Sequence, residues 1–375
     1  MKNLFFGRFL LRIKSSEAII KVLEEENVSH IFSLPGGHIQ PIFDAIYDSN
    51  LQLISVRHEQ AAAHMADGYA RFKREPGVCL GTAGPGATNL ATGVAEAYVA
   101  SSPLIVLTGQ VSTGEMYRGA LQEIDTVPIF SPITKCSRKV LRADRIPGML
   151  RGAFRIALSG RYGPVHLDLP RDFLKEEIEY QELQPEQYKP KGGTEGNPAA
   201  IEEAADVLLS ADNSVIIVGG GVRWAQARSE VMALAELLGA PVMTTLTGRG
   251  VVLEDSPLVL GLAPAMLLSE SGWSVISDCD AALAVGCWFS VDWFLPIPRD
   301  LIHVDIDPSV TITVPANDTS VTTGVVGVNG TVNGTGSNVV SITINDSRFT
   351  LVEPSGPPLR PGGHLQLRSL ERSRR

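Results

Sequence analysis

Short apolar runs that alternate with helical segments place the strongest constraint on the fold of this chain. The runs read GVCLGT (77–82), PLIVLTG (103–109) and GPVHLDLP (163–170) in the first half, and SVIIVGGG (214–221) and AALAVG (281–286) in the second. Strands that are apolar along their whole length are buried on both faces, which is typical of parallel sheets covered by helices. Because 375 residues exceed what one core usually organises, we predict an α/β protein with two doubly wound parallel-sheet domains.

Composition divides the chain into two domains, a linker and a tail. Residues 184–198 are rich in Pro, Gly and charge without periodicity, which indicates the linker. After residue 308 the sequence becomes rich in Thr, Val, Asn and Gly and then in Pro, Gly and Arg, which predicts a β-rich and then disordered tail. The predicted units are an N-terminal extension (1–14), a first domain (15–183), the linker, a second domain (199–308) and the tail (309–375).

Charge and cysteine content narrow the classes of function. The net charge of −9 and the lack of a basic stripe before the final residues argue against a nucleic-acid surface. No apolar run approaches the roughly 18 residues of a membrane span, and the basic, apolar start lacks a small-residue cleavage site, so we expect a cytoplasmic protein. The four cysteines form no Cys-x-x-Cys pair, so we expect reduced thiols and predict no metal site from them.

Three turns in the first domain follow predicted strands, at the edge where open parallel sheets bind ligands. They are Pro35-Gly36-Gly37, Arg57-His58-Glu59 and the run from Gly84 to Asn89. Glycines allow a ligand to approach the backbone closely, and a helix N-terminus supplies N–H donors. Taken singly, each turn is also explained by local structure, since an acid such as Glu59 stabilises the start of a helix.

In their order along the chain, these turns and the segments around them resemble a known family. The stretches FSLPGG, RHEQAAAHMADGYAR, GTAGPGATN and GRYGPVHLDLPRD are similar to the pyrimidine-binding domain of the thiamine-diphosphate enzymes, and most similar to the acetolactate (acetohydroxyacid) synthases. Later stretches, among them IIVGGGV, LGAPVMTTLTGRG and IHVDIDP, resemble the central domain of the same family. The resemblance covers about residues 15 to 308 and implies that thiamine diphosphate is the cofactor.

The resemblance implies roles for several residues. Glu59 stands where the family has the glutamate that hydrogen-bonds N1′ of the aminopyrimidine, and Gln122 where it has a glutamine that points toward the reacting carbon. Lys135 matches a substrate-side lysine, with a solvated lysine as the alternative. His58 either orients Glu59 or satisfies the core, and His64 is expected to be packed. The further matches beside the aminopyrimidine are Pro35, Gly36, Gly37 and Asn89.

The resemblance also raises FAD as a candidate cofactor. Arg161 matches a family arginine that contacts FAD. The regions that line the family's FAD site contain Gly219, Gly220 and Asp305. Against FAD, Trp288 stands where the family has the arginine of a Gly-x-Arg-Phe segment, so the glycines have the alternative of a tight strand-to-helix turn. The neighbouring Cys287 is expected to be a core residue.

The sequence contains no Gly-Asp-Gly, the start of the motif with which the family's third domain binds the diphosphate and Mg²⁺. We therefore expect a truncated or frame-shifted copy of a longer enzyme, with Mg²⁺ bound through the absent third domain or through a partner. Two alternatives stay open: a chain that works with a separate diphosphate-domain subunit, and a non-catalytic binding or regulatory module. A homo-oligomer is the other expected assembly.

The resemblance implies the activity of the parent enzyme. That activity is decarboxylation of pyruvate and ligation of the two-carbon unit to a second 2-keto acid, a reaction of branched-chain amino acid biosynthesis. A related 2-keto-acid decarboxylase or acetyltransferase is the alternative chemistry. Which 2-keto acid is used is not predicted, because most substrate-facing residues would come from the third domain.

Overall fold

The computed structural model describes residues 10–189, 198–263, 269–288, 300–307, 320–325, 341–345 and 348–352. The chain separates into two compact units, Met1–Lys191 and Gly192–Arg375. Most of the predicted tail, including its Pro-, Gly- and Arg-rich end, lies outside the described residues. Within the described part of the chain, no helix has the length and apolar character needed to cross a membrane.

A six-stranded sheet, in which every neighbouring pair is parallel, forms the centre of the first unit. Its strands are β2 (His30–Ser33), β3 (Gln52–Ser55), β4 (Gly77–Gly81), β5 (Leu104–Gln110), β6 (Cys136–Lys139) and β7 (Val165–Pro170). They lie in the order β3-β2-β4-β5-β7-β6, so β3 and β6 are the edge strands. Every residue of β4, β5 and β7 is buried, which agrees with the uninterrupted apolar runs. A separate antiparallel ribbon joins β1 (Leu11–Lys14) to β8 (Glu177–Tyr180).

Among residues 10–189, six α-helices connect these strands. They are α1 (Ser15–Glu25), α2 (Gln40–Tyr47), α3 (Glu59–Lys73), α4 (Pro85–Val99), α5 (Thr126–Phe130) and α6 (Ile146–Ala157). Helix α3 is rich in alanine because it packs closely against α4: a Cβ atom on Gly93 of α4 would lie 2.6 Å from the Cβ atom of Ala63. This close packing fixes α3 so that its first residue, Glu59, lies just beyond the carboxyl end of β3.

The second unit contains another six-stranded parallel sheet. Its strands are β9 (Ser214–Val218), β10 (Val242–Thr244), β11 (Val259–Leu262), β12 (Ala281–Val285), β13 (Asp300–Asp305) and β14 (Ser320–Val325), in the order β11-β10-β9-β12-β13-β14. The described helices are α7 (Pro198–Ser210), α8 (Gly221–Ala225), α9 (Arg228–Leu238) and α10 (Glu270–Asp278).

Alternate residues of the second sheet enter two different apolar clusters. Ile216 and Val218 of β9 belong to one cluster, and Val215 and Ile217 belong to the other. Both faces of the sheet are therefore covered, as expected of a doubly wound α/β domain. The predicted fold class is confirmed for both units.

Three of the described strands fall in the segment predicted as a tail. Strand β14 pairs in parallel with β13 and so extends the second sheet beyond residue 308. Strands β15 (Ser341–Asn345) and β16 (Arg348–Val352) form an antiparallel pair. The described part of the tail thus has the predicted β character.

Candidate functional site

The three turns identified in the sequence come together at one edge of the first sheet. They follow β2, β3 and β4, which are adjacent and parallel, so their carboxyl ends meet. Thr82 lies between the turns: a Cβ atom on Gly36 would be 2.4 Å from the Cβ atom of Thr82, and one on Gly86 would be 2.6 Å from its Cγ2 atom. Side chains at positions 36 and 86 would therefore collide with Thr82, whereas Gly37 faces open space and Pro35 is exposed.

Glu59 lies at the centre of this edge. It is the first residue of α3 and its side chain is buried, with 6% relative exposure. Its Oε2 atom accepts a hydrogen bond of 2.9 Å from the Nδ2 amide of Asn89. Its Oε1 atom accepts no hydrogen bond from any described residue, and it would lie 3.3 Å from a Cβ atom on Gly86. One carboxylate oxygen is thus held by the protein, and the other faces the space that Gly86 leaves open.

Gln122 reaches the same edge from a loop that follows β5. A Cβ atom on Gly84 would lie 2.6 Å from the carbonyl oxygen of Gln122, so this loop contacts the turn before α4. Both residues have positive φ angles, 63° for Gly84 and 64° for Gln122. A non-glycine residue in that region is strained by about 1 kcal/mol or more, so contacts elsewhere in the loop must hold it. The Gln122 side chain is exposed.

Buried polar side chains hold this loop against the sheet. The Nε2 amide of Gln110 donates hydrogen bonds to the carbonyl oxygen of Ile124 (2.8 Å) and to Oδ2 of Asp168 (3.1 Å). Thr108 donates to Oδ1 of the same carboxyl group, at 2.9 Å. Burial raises the pKa of Asp168, and the hydrogen bonds from Gln110 and Thr108 act in the opposite direction. The Gln122 loop is therefore anchored on β5 and β7.

Lys135 and Arg161 do not join this edge. Lys135 directly precedes β6, and Arg161 lies four residues before the start of β7. Both residues therefore lie at the amino ends of the parallel strands, opposite the Glu59 turn. Lys135 donates through Nζ to the carbonyl oxygens of Ile156 and Ser159, both at 2.5 Å, where α6 ends. Burial, together with the Arg161 charge, lowers the pKa of Lys135 to about 8. Arg161 donates to Oγ of Ser101 at 2.8 Å.

Two residues that the sequence did not single out do lie at the Glu59 edge. His38 is half-buried, with its Nδ1 atom 3.3 Å from Oγ1 of Thr82. Burial lowers the pKa of His38, and the Arg171 charge lowers it further. Arg171 directly follows β7, and its buried Nε atom has no hydrogen-bond partner among the described residues. The signal available for both was a position soon after a strand end, five residues after β2 for His38 and one residue after β7 for Arg171.

The histidines near Glu59 differ from both expectations. His58 is exposed and caps α3, because its Nδ1 atom accepts a 3.2 Å hydrogen bond from the backbone N–H of Gln60. It therefore neither fills the core nor contacts Glu59 through a described hydrogen bond. The prediction that His64 is packed was wrong: it lies on the exposed face of α3.

The glycine turn of the second unit is explained by packing. A Cβ atom on Gly219 would lie 1.9 Å from the carbonyl oxygen of Gly286, and Gly220 faces Thr247 at 3.2 Å. The turn after β9 thus approaches the end of β12 too closely for a side chain. Cys287 is buried there, and burial raises the pKa of its thiol well above the usual value, so the prediction of a core residue is confirmed.

Asp305 ends β13, and its Oδ1 atom accepts a hydrogen bond of 2.9 Å from the backbone N–H of Asp307. Protein atoms occupy the space where side chains at positions 219 and 220 would lie, so these glycines leave no room there for a cofactor. This turn therefore gives no support to the FAD prediction. Among the described residues, no group of three or more His, Cys, Asp or Glu side chains is placed to hold a metal ion.

Both units contain segments that match known protein families. Residues 13–129 match the family described as "Thiamine pyrophosphate enzyme, N-terminal TPP binding domain", and residues 201–327 match "Thiamine pyrophosphate enzyme, central domain". The chain is 46% identical over 309 residues to a probable acetolactate synthase large subunit of Methanocaldococcus jannaschii, covering 79% of this chain and 52% of that protein. It is 37% identical over 306 residues to the acetolactate synthase isozyme 2 large subunit of Escherichia coli, covering 79% and 54%. The chain thus spans about half the length of these curated relatives.

Proposed function

The chain belongs to the thiamine pyrophosphate enzyme family, of which it carries the N-terminal and central domains, and from this we propose that the Glu59 edge binds the aminopyrimidine ring of thiamine diphosphate. The observation that carries the proposal is the unequal use of the two Glu59 oxygens. Asn89 holds Oε2, while Oε1 accepts no hydrogen bond from the described residues. Glu59 as a whole is only 6% exposed, and Oε1 can accept a hydrogen bond from a group that enters the space left open by Gly86; a protonated ring nitrogen is such a donor.

Each residue of the edge has a separate part in the proposed site. Glu59 holds and exchanges a proton with N1′ through Oε1, and Asn89 orients Glu59. Gly36 and Gly86 keep side-chain atoms away from Thr82 and from Oε1. Gln122, exposed beside Gly84, is proposed to contact the substrate. Pro35 and Gly37 complete the first turn.

When bound, thiamine diphosphate supplies a thiazolium carbon that adds to 2-keto acids and an electron sink for loss of carbon dioxide. The residues of this chain bind and orient the ring and manage the proton at N1′, a contribution of about 10² to 10⁴-fold in rate for positioned acid–base groups. Lys135 is left out of the proposed site because it caps the end of α6 at the opposite edge of the sheet.

The proposed activity is that of an acetolactate synthase: decarboxylation of pyruvate and ligation of the two-carbon unit to a second 2-keto acid. The names of the relatives support it. We further propose that a subunit with a diphosphate-binding domain completes the site, with Mg²⁺ held outside the described residues. A homo-oligomer stays a prediction, and its copies, which share a sequence without Gly-Asp-Gly, would not complete the site by themselves. Binding of FAD, location in the cytoplasm and a role in branched-chain amino acid biosynthesis stay predictions.

The test is carbon dioxide release from [1-13C]pyruvate by the full chain with Mg²⁺ and thiamine diphosphate, alone and with candidate diphosphate-domain subunits. Labelled carbon dioxide together with acetolactate supports the synthase, whereas carbon dioxide with acetaldehyde supports a decarboxylase. Release that falls by about hundredfold or more in Glu59→Gln assigns the proton step to Glu59. No release under any of these conditions contradicts the proposed activity and favours a non-catalytic binding module.

A further inference from the structure

A cavity opens in the first unit beside the edge strand β6. It lies on the far side of the sheet from β3, the strand that the Glu59 turn follows. It has a volume of about 530 Å³ and lies between strand β6, helix α6 and the segment that joins them. Strands β3 and β6 are the opposite edges of the sheet, and Glu59 follows β3. None of the residues proposed for thiamine diphosphate lines this cavity. Its volume is within the range of pockets that bind small molecules, about 300 to 1,000 Å³.

Three arginines, Arg138, Arg145 and Arg155, line the cavity. In the described part of the chain, none of their side chains forms an ion pair or a hydrogen bond with a protein group. The one carboxylate among the lining residues, Asp144, is already engaged by Arg142 through bonds of 2.9 and 2.7 Å. The cavity therefore concentrates positive charge in a chain whose net charge is −9.

The position of Arg145 strengthens this charge. Arg145 is the N-cap of α6, a helix of 12 residues, and the helix dipole is positive at that end. A cation is unfavourable there, and an anion bound beside it would be stabilised by both the guanidinium and the dipole. The arrangement has the electrostatics of an anion site.

The floor of the cavity is apolar and partly bare. Ile156 and Leu167 contribute apolar side chains. Gly148 and Gly152, one turn apart on α6, have no atom within 4 Å of where a Cβ atom would lie, so the backbone of the helix is open to the cavity. A ligand that fits both features has a compact organic body and an anionic group.

We propose that this cavity binds a small organic phosphate. A phosphate ester carries about two negative charges and three acceptor oxygens, and the guanidinium fork binds such groups through paired N–H donors. A single carboxylate has one charge and two oxygens, and a dicarboxylate such as phthalate divides its two charges between two separate groups, so both match the site less well than a phosphate ester does. The site does not depend on the proposed thiamine diphosphate site, because the two share no residue.

Cys136 provides a direct test, because it lines the cavity and is partly exposed, whereas the other three cysteines are buried. The experiment measures the rate at which a maleimide labels Cys136 in the full chain, at constant ionic strength, with phenyl phosphate, phthalate or phenol as the probe. Phenyl phosphate is expected to slow labelling at least threefold and saturably. Phthalate is expected to act only at higher concentration, and phenol not at all.

Arginine variants test whether protection of Cys136 from labelling depends on the arginines that line the cavity. Arg145→Ala with Arg155→Ala is expected to abolish protection, while Arg228→Ala, at an exposed arginine of the second unit, keeps it. Equilibrium dialysis of phenyl phosphate provides a second readout that does not depend on the thiol, and the same double variant is expected to lose binding there. Equal protection by phenol, stronger protection by phthalate, no binding of phenyl phosphate, or full protection in the double variant would overturn the proposal.

Discussion

The Asn89 amide holds one oxygen of Glu59, at 2.9 Å, and the other oxygen has no donor among the residues that the structure describes. This contact joins α3 to α4, since Glu59 begins one helix and Asn89 lies in the first turns of the other. The orientation of the carboxylate is therefore set by the packing of two helices. Several predictions at this edge depend on that relationship.

Asn89→Ala removes the donor and leaves Oε2 buried without a partner. Hydrogen bonds to charged groups are worth about 1.5–3 kcal/mol, so we expect the free energy of unfolding to fall by about that amount and thiamine diphosphate binding to weaken about tenfold. Urea unfolding and calorimetric titration measure the two effects. Asn50→Ala, at an exposed asparagine, is the matched control and should change neither. Unchanged binding in Asn89→Ala would show that the contact does not orient Glu59.

Gly86→Ala and Gly36→Ala both place a Cβ atom against Thr82, but against different atoms. At Gly86 the close contact is with Cγ2 (2.6 Å), whereas at Gly36 it is with Cβ (2.4 Å) and Oγ1 (2.6 Å). Overpacking of this kind costs about 1–3 kcal/mol. We expect Thr82→Ser, which lacks Cγ2, to restore the stability of Gly86→Ala and not that of Gly36→Ala.

Gly37→Ala is the control for these substitutions, because its Cβ atom would meet nothing within 4 Å. Even when its stability is restored, Gly86→Ala should bind thiamine diphosphate more weakly, since the added methyl lies 3.3 Å from Oε1 of Glu59. Thermal unfolding and titration separate the two effects. Rescue of both alanine variants by Thr82→Ser would contradict the described contacts.

Gln110→Leu should release the loop that carries Gln122. The substitution removes the bonds to the Ile124 carbonyl and to Asp168, and it leaves a buried carboxylate short of a donor. We expect trypsin to cleave at the exposed Arg118 at least about tenfold faster, because local opening governs cleavage of native loops. Gln52→Leu, at an exposed glutamine of β3, should leave the rate unchanged. Equal rates in all three proteins would mean that Gln110 does not hold the loop.

Two buried histidines should make stability depend on pH. Burial lowers the pKa of His166 to about 3 and that of His303 to about 4, from an ordinary value of 6.5. Below pH 6.5 the unfolded chain therefore binds protons that the folded chain does not, and stability falls as pH falls. The loss is up to about 1.4 kcal/mol per pH unit for each histidine, and it continues until the pH reaches the folded-state pKa.

His303→Gln tests this dependence, because glutamine can still donate to the carbonyl of Cys287, which His303 contacts at 2.8 Å. Urea unfolding at several pH values from 5 to 7 should show a shallower pH slope in this variant. His64→Gln, at an exposed histidine, should keep the slope of the native chain. An identical slope in His303→Gln would show that His303 does not resist protonation.

The central strands of the first sheet and its edge strand β3 could be predicted from the sequence, whereas the edge strands β6 and β14 could not. Strands β4, β5 and β7 have neighbours on both sides and are buried throughout, so each is an apolar run. Strand β6 reads Cys-Ser-Arg-Lys, because an edge strand has one neighbour and leaves part of its surface to solvent. Strand β14 is a Thr-containing edge strand of the second sheet and was assigned to the tail for a similar reason.

Because the sequence does not predict β6, it also does not predict where Lys135, the residue before β6, lies relative to the sheet. A residue that precedes a parallel strand lies at the amino edge, and one that follows it lies at the ligand-binding edge. Without β6, the sequence did not reveal on which side Lys135 falls. Glu59 and Asn89 were found because their turns follow apolar strands, whereas His38 and Arg171 lie in equivalent places but belong to no polar pattern.

The central claim is that Oε1 of Glu59 contacts N1′ of the aminopyrimidine. The most direct measurement compares the affinity of the chain for thiamine diphosphate with its affinity for an analogue in which carbon replaces N1′. Both affinities are measured for the native chain, for Glu59→Ala and for the control Glu75→Ala, at an exposed glutamate. Such a cycle isolates one contact from the rest of the ligand. We predict that the native chain and Glu75→Ala prefer the natural cofactor by about tenfold or more, equivalent to about 1.4 kcal/mol, and that Glu59→Ala has no preference. The same preference in Glu59→Ala as in the native chain would contradict the claim.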